Sequence, residues 1–315
     1  MTDAPEPKRT SPWRRVLPWL VGIAIVVVLA LRVPAAAFQR ALAEGPHVEL
    51  ALVDLGVTIA MLLTDTLATW AALSVVGVRW DIAKVFAVRG ATYVLSLINY
   101  AVGQGGIGYY LHRSGVPGKR AIGVTLFMIG TTFATLLLLN AVTWLVDHEG
   151  IDPRALWTVY GLTGAFVVYL VVILARPTAL ANNQVLAPLF DARLPGYALA
   201  ILARLPHVIV IVFGHWIAMR AWGIPAPLAL AASVLPGLAF AAALPISPAG
   251  LGTTQAGLVL FFSAFAAGAT QEAREANLLA FSIVHFVYGM IGQLAVGILC
   301  VPLARRQDAA SRDGA

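Results

Sequence analysis

Residues 101–116 read AVGQGGIGYYLHRSGV, and Gly103, Gly105 and Gly108 fit the G-x-G-x-x-G spacing of a dinucleotide loop. Such a loop follows a strand, opens a helix and is answered about 20 residues later by an acid for the ribose. Here the preceding residues are apolar. The stretch near 128 reads Phe127-Met128-Ile129, and the next acid is Asp147. The nucleotide reading fails, and no cofactor is expected. The glycines then have a backbone purpose. Either they break the chain near Gly103–Gly106 beside a polar cavity, or they let two helices cross closely.

Composition says what surrounds them. Of 315 residues, 60% are hydrophobic and 11% charged, against roughly 25% charged in soluble domains. Mean hydropathy is +0.84. A membrane span needs about 20 mainly apolar residues. The candidate runs are Val16–Leu31, Leu50–Val76, Val85–Leu111, Ala121–Val146, Leu156–Leu174, Tyr197–Met219, Leu228–Leu244, Leu251–Ala267 and Asn277–Leu303. No polar stretch between them reaches the roughly 50 residues of a soluble domain. The expected organisation is one all-α membrane bundle over residues 16–303, with short tails at 1–15 and 304–315. Lys8, Arg9, Arg14 and Arg15 before the first run, and Pro34-Ala35-Ala36-Ala37 after it, have the layout of a signal peptide. Arg32 interrupts the run before any cleavage site and favours an uncleaved helix. Cys300, the sole cysteine, excludes an internal disulfide and a thiolate metal cluster.

The net charge of +6 is spread over loops, which argues for membrane orientation and against nucleic acid. Of the 21 Lys and Arg, fifteen lie in the termini and in 79–89, 112–120 and 176–196. Five (Arg32, Arg40, Arg154, Arg220 and Arg274) lie on the opposite side, with Arg204 left inside a span. The positive-inside rule then places both termini in the cytoplasm. On that orientation the run between Arg89 and Arg113 enters and leaves on one side. The segment from Ala226 to Ala269 does the same from the other side. It turns at Leu244-Pro-Ile-Ser-Pro-Ala-Gly-Leu-Gly252. The expectation is about eight membrane segments with two re-entrant or broken hairpins, arranged as an inverted-topology repeat. In such repeats the broken helices meet at a midplane transport site.

Charges inside spans are costly and mark function or buried pairing. Asp65 sits mid-span in MLLTDTLATW, and Asp54, three turns earlier, shares its face nearer the surface. Arg204 and His207 share one face of the next polar span around Pro206. Arg204 either snorkels to the interface or lines a head-group cavity. His215 and His285 read as lone structural histidines. Gln104 at the first break, and Ser247, Thr253, Thr254 and Gln255 at the second, offer uncharged donors and acceptors. Arg113 holds a lipid phosphate or simply follows the charge rule. There is no H-E-x-x-H, no G-x-S-x-G and no metal-spaced Cys/His set, so neither a hydrolase nor a metal site is expected.

The two breaks together carry a resemblance. LPISPAGLGTTQAG (244–257) and YAVGQGGIGYYLHRSGVPGKRA (100–121) resemble the two Gly/Pro signatures in the transmembrane region of lysylphosphatidylglycerol synthases. The likeness spans about residues 16–303. It implies a bacterial or archaeal inner-membrane, flippase-like domain. Only about a dozen residues follow Leu303, so the resemblance implies no aminoacyl transfer. The family's acid and arginine in the first signature stand here as Ile107 and Tyr110, and its second acid as Gln255.

The expected function is translocation of a lipid or lipid-linked head group. Pro245, Pro248, Gly250 and Gly252, with Gly103, Gly105 and Gly106, would shape the cavity. Gln104, Ser247, Thr254 and Gln255 would bond the head group, while Asp65, Arg113, Arg204 and His207 supply charge. The alternative is a non-transporting subunit that binds a lipid- or glycan-modifying enzyme in the membrane.

Overall fold

The computed structural model describes residues 13–146, 153–244 and 250–313, and all regular structure among them is helical. The helices are α1 (Trp13–Arg32), α2 (Ala35–Glu44), α3 (His47–Val75), α4 (Ile82–Ser96), α5 (Tyr100–Arg113), α6 (Gly118–Val146) and α7 (Pro153–Ala175). There follow α8 (Thr178–Ala181), α9 (Ala187–Asp191), α10 (Arg193–Ala221), α11 (Leu228–Ala243), α12 (Thr253–Phe262) and α13 (Gln271–Asp313). Among the described residues α3, α6, α10 and α13 are each long and apolar enough to cross a membrane. The pair α1 and α2, bent by 104° at its break, makes a fifth if it counts as one span. A 29-residue helix is about 43 Å long, more than the ~30 Å hydrocarbon layer.

The polarity of α3 is arranged for lipid. Leu52, Leu55, Ile59, Leu63 and Leu67 are exposed, while Asp54, Thr58, Asp65, Thr66 and Thr69 are buried. In water the apolar stripe would turn inward. With apolar solvent outside, the protein interior is where polar groups find partners. The chain is a multi-pass membrane bundle.

Small residues set the helix crossings. Val75 meets Gly196, Asp65 meets Arg204 and Val57 meets Gly214, so α3 and α10 run antiparallel along their length. A Cβ on Gly90 would lie 2.3 Å from the Cys300 sulfur, and one on Gly297 2.2 Å from Val94. These contacts lock α4 against α13, with Cys300 free and buried between them.

The first hairpin, α4 and α5, does not break at its glycines as expected. It turns at Leu97–Asn99. The Asn99 side chain accepts from Val102 N at 2.8 Å and starts α5 ahead of Gly103. The glycines lie inside α5 and serve packing. A Cβ on Gly103 would lie 2.0 Å from Ser96 Oγ, and one on Gly106 2.8 Å from Thr92 Cγ2. Gly105 faces open space. In the second hairpin α11 ends at Ala243 and α12 starts at Thr253, on either side of the expected turn. Pro245, Ser247 and Pro248 lie outside the described residues. Gly250 and Gly252 adopt φ of 76° and 85°, a conformation that favours glycine. Gly252 also touches α1, where a Cβ would meet the Gly22 carbonyl oxygen at 2.7 Å.

The ends of α4, α5 and α13 are tied together. Lys84 Nζ donates to Ser114 Oγ at 3.0 Å, and Arg113 pairs with Asp308 at 2.7 Å. The helix of α13 runs on through residues 304–313.

Candidate functional site

The two hairpins meet at one cavity of about 310 Å³. Its wall draws on α3, α4, α5, α6, α10, α11, α12 and α13. Most of the lining is apolar: Leu136, Ile211, Leu235, Leu238, Ala239, Leu258, Phe286 and Met290. Its polar groups gather at two levels of α3, around Asp65 and around Asp54. Eleven residues separate them, about 16 Å along the helix axis.

Asp65 is 1% exposed. Arg89 donates to its Oδ2 through Nε at 2.8 Å and through a closer Nη2, while Arg204 donates to Oδ1. Both carboxylate oxygens are thus bonded, and both arginines are buried. The cluster holds two guanidinium groups for one carboxylate. Its formal charge is +1, in a place where a lone charge is costly. Arg89 and Tyr93 line this end, and neither Arg89 Nη1 nor Tyr93 Oη, both buried, has a hydrogen-bonding partner among the described residues. Arg89 lies 6.0 Å from the Tyr93 ring. His207 lies beside the cluster, its Nδ1 3.3 Å from Thr64 Oγ1. Thr64 Oγ1 also lies 2.7 Å from the Ala60 carbonyl, which accepts from it.

At the second level, His285 Nδ1 lies 2.8 Å from Asp54 Oδ1, and Asp54 Oδ2 has no partner among the described residues. His215 meets His285 edge to face with ring centroids 4.4 Å apart. All three residues line the cavity.

Of the residues expected from sequence, Asp65, His207, Thr254 and Gln255 line this cavity. Gln255 also has a structural bond: its Oε1 accepts from Gly252 N at 2.6 Å and caps α12. Arg204 does not snorkel. It is 2% exposed and braces Asp65 from behind the lining. Gln104 is buried away from the cavity, its Oε1 without a partner. Arg113 lies at the far end of α5, held by Tyr109 and Asp308. Thr253 is turned to the Gly250 carbonyl.

Sequence reasoning missed Arg89, Tyr93 and the Asp54–His285 pair. Arg89 was grouped with the loop cations, yet it is 5% exposed inside α4. A signal existed: it lies within the apolar run Val85–Leu111 as the only cation there. Asp54 reads from sequence as sharing the face of Asp65 and the two histidines as lone residues, and nothing local joins residues so distant.

Fold and site define a helical multi-pass membrane protein with charged groups buried about a central cavity. No protein-family model and no curated protein matches the chain.

Proposed function

We propose that the chain is a bacterial inner-membrane translocase for a lipid or lipid-linked head group, with the substrate site in the central cavity. The observation that carries this reading is the two-to-one excess of guanidinium over carboxylate around Asp65, with an Arg89 N–H that has no partner among the described residues, beside a cavity whose wall is mainly apolar in area. Guanidinium groups suit phosphate oxygens in number and geometry. An apolar wall beside them suits the rest of a lipid. The roles follow from position. Arg89 and Tyr93 contact the phosphate. Asp65 and Arg204 hold Arg89 in place. Thr254 and Gln255 bond the head group from the second hairpin.

The same reading takes α4/α5 and α11/α12 as re-entrant hairpins of an inverted repeat, with about eight membrane segments and both termini in the cytoplasm. Neither arm of the first hairpin, at 15 and 14 residues, reaches the length of a span, which supports it. So does the resemblance to the transmembrane region of lysylphosphatidylglycerol synthases.

The test is translocation by purified protein in liposomes that hold head-group-labelled lipids, read with an impermeant quencher. The native protein moves an anionic phospholipid and the Arg89→Gln variant does not. Movement that survives in Arg89→Gln, with the variant folded, removes the site. No movement of any lipid, with a membrane enzyme co-purifying in fixed ratio, replaces the reading with that of a partner subunit.

A further inference from the structure

The phosphate reading leaves the Asp54 end of the cavity without a use. Three helices meet there: α3 brings Asp54, α13 brings His285 and α10 brings His215. A purely structural pair would satisfy the carboxylate. Here one oxygen is bonded, and the other is buried with no partner among the described residues. A second imidazole stands against the first without an ion pair, and Phe281 stacks on the first at 5.4 Å and 10°. Among the described residues no group of three such side chains has the geometry to hold a metal ion. A carboxylate and two imidazoles on a membrane cavity are instead the parts of a proton relay. Imidazole is the side chain that changes charge between about pH 5 and 8.

The other charges around this trio lie toward helix ends: Glu49 is exposed in the first turn of α3 and Arg220 in the last turn of α10. His47 and Tyr288 bond each other at 3.1 Å. Glu272, Arg274 and Glu275 lie at the N-terminal end of α13, and Arg40 and Glu44 are on the exposed side of α2. Neither α11 nor α12 carries a charged residue. Asp65, Arg89, Tyr93 and His207 lie at the other level of the cavity, three turns along α3, with Arg204 behind them on Asp65.

We propose that Asp54, His285 and His215 form a proton-binding site that makes translocation a proton symport; this rests on the translocase reading. One proton is taken from water onto the Asp54 carboxylate or an imidazole nitrogen and is later returned to water on the other side. Only O–H and N–H bonds change. The proton removes a negative charge from the cavity that an anionic head group must share. Proton and substrate therefore favour each other's binding, reciprocally.

The experiment imposes a pH difference on the same liposomes and measures the lipid ratio between leaflets at equilibrium. With one proton per lipid, one pH unit shifts that ratio by a factor of about ten toward the alkaline side. Asp54→Asn keeps the bond to His285, and the readout is the response to the gradient and not the rate: whatever lipid the variant moves settles at a ratio that ignores the pH difference. His285→Gln is the second variant, used if Asp54→Asn fails to fold. A native ratio indifferent to pH, or a gradient response that survives in the variant, overturns the symport and leaves the translocase reading standing. If no lipid moves, the translocase reading falls, and the site is judged by nitrogen-15 spectra of the histidines. Coupled titration of His215 and His285 that Asp54→Asn abolishes supports a proton site. Imidazoles fixed in one state from pH 5 to 8 overturn it.

Discussion

Asp65 on α3 accepts a hydrogen bond from Arg204 on α10, 139 positions along the chain, while its other oxygen accepts from Arg89 on α4. One carboxylate thus joins three helices, and two of them have no other buried charge at that level. The stoichiometry makes the cluster asymmetric. Removing the anion leaves two cations facing each other. Removing one cation leaves a balanced pair.

Asp65→Ala is therefore expected to cost about 3–5 kcal/mol, the usual loss when a buried pair is broken from one side. Arg89→Gln is expected to cost clearly less, since Arg204 still balances Asp65. Thermal unfolding of both variants in one detergent gives the order. Equal losses would show that the cluster is not two-to-one in its energetics.

The α5 glycines separate packing from propensity. Gly103→Ala drives a methyl group onto Ser96 and should lower the melting temperature of the protein by several degrees. Gly105→Ala meets nothing within 4 Å. It should be neutral or gain up to about 1 kcal/mol, since alanine is the better helix former. If Gly103→Ala matches Gly105→Ala, the close crossing of α4 and α5 is not there.

At the start of α12 the ranking is also fixed. Gln255→Leu loses one capping bond, worth about 1 kcal/mol. Gly252→Ala meets a positive φ and the Gly22 carbonyl together, and should be the worse of the two. A milder Gly252→Ala would mean that α1 does not pack there. The comparison needs only melting curves.

Gln104 gives a test in the opposite direction. Its Oε1 is buried without a partner, and leaving such an oxygen unpaired costs about 1–3 kcal/mol. Gln104→Met should hold or raise stability and leave lipid movement at the native rate. A variant that folds but transports poorly would put Gln104 back at the site.

How much of this was legible differs by kind of feature. The second hairpin was readable because Gly250 and Gly252 punctuate the chain locally. The first was placed correctly, but its turn was not. Glycine signals a break in water, whereas here Asn99 caps α5 earlier and the glycines are spent on close crossing. Asp65, Arg204 and His207 were found as charges out of place in apolar runs. Arg89 was out of place in the same way, but lay near enough to a run's end to pass as a loop residue.

The sequence by itself determined that this chain is helical and where its long apolar helices lie. A bilayer forces each apolar segment to satisfy its own backbone hydrogen bonds, and hydropathy is a property of consecutive residues. Only the tertiary structure decided which charges meet. Whether Asp65 finds Arg89 and Arg204, or Asp54 finds His285, depends on which helices are neighbours, in which direction they run and where small residues let them close. Those are relations between separate helices, 24, 139 and 231 positions apart along the chain, and no local pattern carries them.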